Sequence, residues 1–180
     1  MKKISIIILL IIFGAIILDQ FTKGILLYLI TGGIPLYGSA FDVVPVPYLM
    51  TPVFDFFNIV FTWNPGTSFS MFRALGEAAP LAMIIITGFV IGLIGYYLFC
   101  HAKSYERIPL ALIIGGAIGN LIDRIRFGAV VDFLDFHIGG YHWPAFNVAD
   151  ICIVIGVGIY LLNWYLARRR CLKNSTKDGK

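Results

Sequence analysis

At 180 residues, with 59% hydrophobic and only 13% charged side chains and a mean hydropathy of +0.87, the chain is too apolar for an average soluble domain and belongs with membrane proteins. Its net charge of +4 does not mark a nucleic-acid binder. Ten of the fourteen Lys and Arg (Lys2, Lys3, Lys103, Arg107, Arg168, Arg169, Arg170, Lys173, Lys177 and Lys180) lie at the chain ends or between apolar runs, the positive-inside pattern, so no nucleic-acid partner is expected.

The start, MKK followed by ISIIILLIIFGAIIL, has the form of a signal sequence, but no small-residue cleavage site follows, so a retained signal anchor is expected. The first span covers residues 4–30, long enough to cross the hydrocarbon, with its polar break (Asp19, Gln20, Thr22, Lys23) near the outer end. Asp19 and Lys23 share a helix face and can pair. That pair serves either to neutralise a snorkelling lysine or as part of a site.

Residues 31–77 remain apolar, but Pro35, Pro45, Pro47 and Pro52 forbid a regular helix and predict an external, membrane-hugging segment. Within it, Phe57, Ile59, Phe61 and Trp63 alternate with Asn58, Val60, Thr62 and Asn64, the period of a half-buried strand. Asn64, Pro65 and Gly66 read as a type II turn into a second short strand through Thr67 to Phe72. A second span follows at 78–100, then a cytoplasmic loop at 101–107 and a third span at 108–125.

Gly115, Gly116 and Gly119 give the third span a small-residue face for close helix approach. Gly116, Asn120 and Arg124 recur every four residues with Asp123 beside them, so the polar end of that helix faces one way, and an Asp123–Arg124 pair with an Asn120 clip would hold helices together. The second external segment, 126–147, carries Phe133, Phe136, Tyr141 and Trp143, the last two suited to the headgroup level. Asn147 and Asp150 have the spacing of an N-cap and its partner at the start of the fourth span, 148–166. The tail, 167–180, is basic and polar, and its part from Cys171 to Lys180 is expected to be disordered. Cys100, Cys152 and Cys171 show neither metal-like nor disulfide spacing.

The expected fold is therefore a mainly α membrane protein: four transmembrane helices, both termini cytoplasmic, and a small external β-sheet cradle between the first two spans. The acids Asp19, Asp123, Asp132, Asp135 and Asp150, with Asp42, Asp55 and Glu77, then lie on the outer side. A cap explains one acid at a helix start, but not Asp132 in the glycine-flanked stretch before it. Two aspartates in a partly dry site cannot both be comfortably ionised, so one holds a proton while the other takes one from water. Asp132 and Asp150 are the expected pair, fixed by Asn120, Asn147, Arg124 and the Asn64 turn.

Three other chemistries are weaker. Asp132, Asp135, His137 and His142 are close enough in sequence to be weighed as metal ligands, but the spacing fits no defensible pattern, so no metal or cofactor is expected. No Ser or Cys has a nearby His or Lys in a nucleophile arrangement. A proton-coupled carrier would place its acids near the midplane in broken helices, whereas here the charges stand at outer ends. A non-catalytic assembly protein, with these polar groups as glue, is the remaining alternative.

The stretches DQFTK (Asp19 to Lys23), NPGTSF (Asn64 to Phe69), GGAIGNLIDR (Gly115 to Arg124), VVDF (Val130 to Phe133) and FNVAD (Phe146 to Asp150) resemble, in order, the five motifs of the type II, or prolipoprotein, signal peptidases. The resemblance implies an aspartyl endopeptidase of the bacterial inner membrane that removes the signal peptide from diacylglyceryl-modified prolipoproteins, cutting before the lipidated cysteine. Its partners would be those substrates and membrane lipids, and it would act as a monomer. The family's catalytic pair falls on Asp132 and Asp150. Asp19, Lys23, Asn64, Gly66, Gly116, Asn120, Asp123, Arg124 and Asn147 fall on positions of the site or its support. The segment between Lys23 and Asn64 is longer than the family leads one to expect, which bears on the shape of the cradle and on the proline-rich stretch as a lid.

Overall fold

The computed structural model describes residues 2–32, 49–66 and 78–178. In chain order these form α1 (Lys2–Thr31), β1 (Leu49–Phe54), β2 (Phe57–Asn64), α2 (Ala79–Cys100), α3 (Ser104–Phe127), β3 (Val130–Ile138), β4 (Tyr141–His142) and α4 (Val148–Asp178). Each helix contains a stretch long and apolar enough to cross a membrane: Ile6–Ile30, Ala79–Cys100, Ser104–Phe127 and Val148–Arg170. The four helices and small sheet expected from the sequence are present. The stretch expected as a strand at Thr67 to Phe72, along with Asp42, Glu77 and Pro35, Pro45 and Pro47, lies outside the described residues.

α3 is the hub. It packs against the three other helices, and half of its span is buried, against 6% for α2. In lipid there is little hydrophobic gain from bringing helices together, so close packing has to come from small residues. A Cβ on Gly115 would stand 2.7 Å from Ala15 Cβ of α1, and one on Gly116 would collide with the Ala149 carbonyl oxygen of α4. Gly156, which the sequence reading passed over, does the same from α4, its Cβ position lying 2.8 Å from the Pro109 carbonyl oxygen. Since the obstacle at Gly116 is backbone, Gly116→Ala will force α3 and α4 apart and lower stability by about 1–3 kcal/mol. Gly88, with open space around it, will accept alanine with no loss; equal thermal unfolding of the two variants would refute this packing.

Two boundaries differ from expectation. α3 begins at Ser104, not at Ile108, because the Glu106 carboxylate reaches back to accept the Lys103 backbone N–H at 2.7 Å and satisfies a donor at the helix start. Pro109 is then inside the helix, and with no N–H it leaves the Tyr105 carbonyl unpaired. Asn163 of α4 fills that place, donating Nδ2 to Tyr105 O at 2.8 Å. α4 continues as helix to Asp178, so the tail from Cys171, expected to be disordered, is helical that far.

The sheet has the order β1-β2-β3-β4, with every neighbouring pair antiparallel. Two of its strands come from the second connection, so the cradle draws on both segments and not only on the one between the first two spans. Pro52 stands in β1, an edge strand, where a missing donor is tolerated. Leu26 of α1 packs with Phe61, Val131 and Phe133 of the sheet. This core fixes the sheet to the helix ends.

Candidate active site

α4 starts on a reciprocal cap. The Asp150 backbone N–H donates to Asn147 Oδ1 at 3.0 Å, and the Asn147 N–H donates to Asp150 Oδ2 at 3.2 Å. The arrangement is the one expected of a well-capped helix, and it occupies one oxygen of each side chain. The other atoms are free for different work. Asn147 Nδ2 donates to Asp132 Oδ1 at 2.6 Å, and Asn120 Nδ2 donates to Asp150 Oδ1 at 2.8 Å. The two amides also meet, Asn147 Nδ2 donating to Asn120 Oδ1 at 3.1 Å. Asp132 and Asp150 are thus tied into one hydrogen-bonded chain through Asn147 and Asn120.

A β-bulge brings in a fifth member, Asn64. Ile59 pairs with Leu134 but Thr62 pairs with Asp132, so β2 carries one extra residue across this interval. Regular pairing would set Phe61 opposite Asp132 and leave Asn64 on the far face, since strand side chains alternate. With the bulge, Thr62 and Asn64 share the face of Asp132, and Asn64 Nδ2 donates to Asp132 Oδ2 at 2.9 Å. Phe61 and Trp63 turn toward Val131 and Phe133 instead. Asn64 Oδ1 accepts from the Gly66 N–H at 2.9 Å, and Gly66 has φ of 75°, the left-handed value a type II turn requires at that place.

Asp132 is 2% exposed and Asp150 half-buried. Burial pushes the Asp132 carboxyl up from 3.8; hydrogen bonds from Asn64 and Asn147 pull it down and the charge of Asp150 pushes it up, with the balance at about 7. This carboxyl therefore exchanges its proton near neutral pH, the range in which a group can give and take one.

Behind the pair lies a buried ionic cluster. Lys23 Nζ donates to Asp19 Oδ2 at 2.8 Å, Asp123 Oδ2 at 2.9 Å and Asn120 Oδ1 at 3.0 Å, which uses all three ammonium hydrogens. Asp19 and Lys23 pair as expected, but Lys23 is 2% exposed and does not snorkel. The expected Asp123–Arg124 pair is absent among the described residues: Asp123 faces Lys23, while Arg124 Nη1 makes a long bond to Asn120 O at 3.4 Å. Neighbouring residues on a helix point about a quarter-turn apart, and the nearer cation takes the acid.

The cluster reaches the backbone on both sides of the pair. Asp19 Oδ1 accepts from the Ala149 N–H at 2.9 Å, one residue before Asp150, and Asp123 Oδ2 accepts from the Val131 N–H at 3.1 Å, one residue before Asp132. Gln20, not singled out from the sequence, bridges Asp19 and Asp123 with Nε2 at 3.2 and 2.9 Å. Its only signal was membership of the polar break in α1. A Cβ on Gly119 would stand 2.6 Å from Asp19 Oδ2, so this glycine makes room for the acid.

Of the residues weighed as metal ligands, Asp132 stands apart from Asp135, His137 and His142. Asp132 and Asp135 are an odd number of residues apart on β3 and face opposite sides, Asp135 accepting from Asn58 Nδ2 at 2.7 Å and bonding His142 Nδ1 at 2.9 Å. Among the described residues there is no group of three or more side chains that could hold a metal ion.

The family model described as Signal peptidase (SPase) II matches residues 11–166. The lipoprotein signal peptidase of Syntrophus aciditrophicus is 45% identical over 148 residues, 75% of this chain and 89% of that protein. The one from Syntrophotalea carbinolica is 42% identical over 145 residues, 80% of this chain and 81% of that one. A solved bacterial membrane enzyme, determined by the in meso method at 1.9 Å resolution, superposes with a TM-score of 0.66 at 29% identity, covering 87% of this chain and 91% of that chain. The match to the family model spans α1 through the body of α4 and takes in every residue of the site, so the chain belongs to the signal peptidase II family.

Proposed function

We propose that the chain removes signal peptides from diacylglyceryl-modified bacterial prolipoproteins, cutting before the lipidated cysteine, with Asp132 and Asp150 as the catalytic pair. The observation that carries the assignment is the Asp132–Asn147–Asn120–Asp150 chain of hydrogen bonds, which supports the two carboxylates as one unit at the start of α4. Protonated Asp132 donates to the scissile carbonyl oxygen while ionised Asp150 takes a proton from the attacking water, forming a tetrahedral diol. Asp150 then passes that proton to the leaving nitrogen as the C–N bond breaks, and the diol hydroxyl returns a proton to Asp132.

The bilayer placement follows the charges. Lys103 and Arg107 stand at the end of the bundle opposite the sheet, with Arg168, Arg169 and Arg170 at the far end of the fourth span. In the proposed topology this end and both termini are cytoplasmic, and the sheet and the aspartates face outward. A monomer suffices, since both acids and their supports come from one chain. The substrate's apolar helix and lipid supply binding energy remote from the scissile bond, which positions that bond at the acids.

The test is to incubate the purified protein in lipid with a diacylglyceryl-modified and an unmodified prolipoprotein and to sequence the new N-terminus. The modified substrate alone should be cut, immediately before its cysteine. Equal cutting of both, or a cut elsewhere, overturns the specificity.

A pH dependence follows from Asp132. Because its proton is needed for the carbonyl, cleavage should fall as pH rises through about 7. The same raised value favours the folded state below 3.8, and that contribution is lost as pH rises through about 7. A cleavage rate that is flat from about pH 6 to about pH 8 would exclude Asp132 as the acid.

A further inference from the structure

The β3–β4 hairpin carries chemistry that cleavage does not use. Asp135, buried at 5% exposure, takes Nδ2 of Asn58 at 2.7 Å and Nδ1 of His142 at 2.9 Å. Although burial pushes its carboxyl up, the bonds from Asn58 and His142 outweigh this and hold it below the usual range, so it is a fixed anion. The half-exposed His142 ring therefore has a carboxylate on one nitrogen, while Nε2 makes no hydrogen bond among the described residues. His137 stacks on the same ring at 4.8 Å.

Beside these rings runs a groove of about 600 Å³ walled by Phe56, Phe136, Ile138, Tyr141, Trp143 and Phe146. Ile138, Tyr141 and Trp143 are 82%, 87% and 70% exposed. A patch of this kind left in water marks a membrane or protein contact, and Tyr and Trp are the residues that settle at the headgroup level. Phe146 stands just ahead of Val148, where the fourth span begins. In the proposed topology this end of the fourth span lies at the outer headgroup level, and the groove with it.

We infer that this groove holds a phospholipid of the surrounding leaflet, one acyl chain along Phe136, Tyr141 and Trp143 and its phosphate on Nε2 of His142. The His142 ring then stands between the Asp135 carboxylate on Nδ1 and the phosphate on Nε2. A charge-assisted bond of this kind at the mouth of an apolar groove selects a molecule with an anionic phosphate next to a hydrocarbon chain. The inference rests on the helices crossing a bilayer and is independent of the aspartate assignment.

The experiment uses the full chain in nanodiscs of phosphatidylglycerol and phosphatidylethanolamine, doped with a phosphatidylglycerol that carries a diazirine on its acyl chain. After irradiation the labelled peptides are mapped. Label is expected on the 136–146 segment as well as on α2, whose Phe89 and Phe99 are exposed and serve as the internal reference. His142→Ala should lower the hairpin's share of label about tenfold, the loss of one charge-assisted bond, and His142→Arg should restore it. Cleavage of prolipoprotein, measured on the same preparations, reports folding and separates failure of this inference from failure of the enzymatic one. The inference is overturned by a hairpin that stays unlabelled while α2 is labelled, by label that His142→Ala leaves unchanged, by competition from inorganic phosphate, or by displacement with saturating lipidated prolipoprotein, which would make the groove a substrate subsite.

Discussion

Asp132→Asn and Asp150→Asn will each lower the cleavage rate by about 10³-fold or more, and the double variant will be no slower than the worse of the two. The non-additivity is the sharper part. If one acid gives a proton to the carbonyl while the other takes one from water, removing either stops the same step, and removing the second has nothing left to stop. Two residues acting only as glue would behave otherwise. Each asparagine loses one accepted hydrogen bond, Asp132 from Asn64 or Asn147 and Asp150 from Asn120 or the Asn147 N–H. That costs about 1–3 kcal/mol of stability, and under the glue reading activity should fall in proportion to the unfolded fraction and recover on cooling. Single-turnover cleavage alongside thermal unfolding separates the two: folded protein with full activity in either variant defeats the catalytic assignment.

The four spans, the strand at Phe57 to Asn64 and the cap at Asn147 and Asp150 were legible because each is a local pattern: a long apolar run, an alternation, a spacing of three. The pairing of Asp19 with Lys23 was legible for the same reason, being one helical turn apart. Partners brought together by the fold were not. Asp123 sits next to Arg124 in sequence but is neutralised by Lys23 from another helix, and Asn163 answers Pro109 across an interface. The bulge in β2 was equally hidden, because a strand with an inserted residue still alternates on either side of it. The alternation put Phe61 and Trp63 on one face with Phe57 and Ile59, whereas the extra residue gives the Asp132 face to Thr62 and Asn64. Three of the four strands were missed: β1 because Pro52 reads as a break, and β3 with its hairpin partner β4 because VVDF reads as chemistry and its role as a strand rests on a partner many residues earlier.

Lys23→Met will be among the most destabilising single substitutions in the chain, lowering stability by about 3–5 kcal/mol. An exposed ion pair would lose at most about 1 kcal/mol, but Asp19, Lys23 and Asp123 are all 2% exposed or less. Without the ammonium, two buried carboxylates face each other with, among the described residues, only Gln20 Nε2 and two backbone N–H groups, of Ala149 and Val131, as donors. Those backbone groups immediately precede Asp150 and Asp132, so relaxing the acids shifts the start of α4 and of β3, and with them the proposed catalytic pair. Cleavage should therefore fall beyond what the unfolded fraction explains. Neutralising the acids as well, in the triple variant Lys23→Met, Asp19→Asn, Asp123→Asn, should recover part of the stability, since an uncompensated buried charge costs more than a missing cluster. It should not recover the cleavage rate, because the triple variant still lacks the ammonium that donates to Asn120 Oδ1, and Asn120 is the side chain that donates to Asp150. If Lys23→Met unfolds at the same denaturant concentration as the unsubstituted chain, the cluster carries no such energy and cannot be what sets the positions of Asp132 and Asp150.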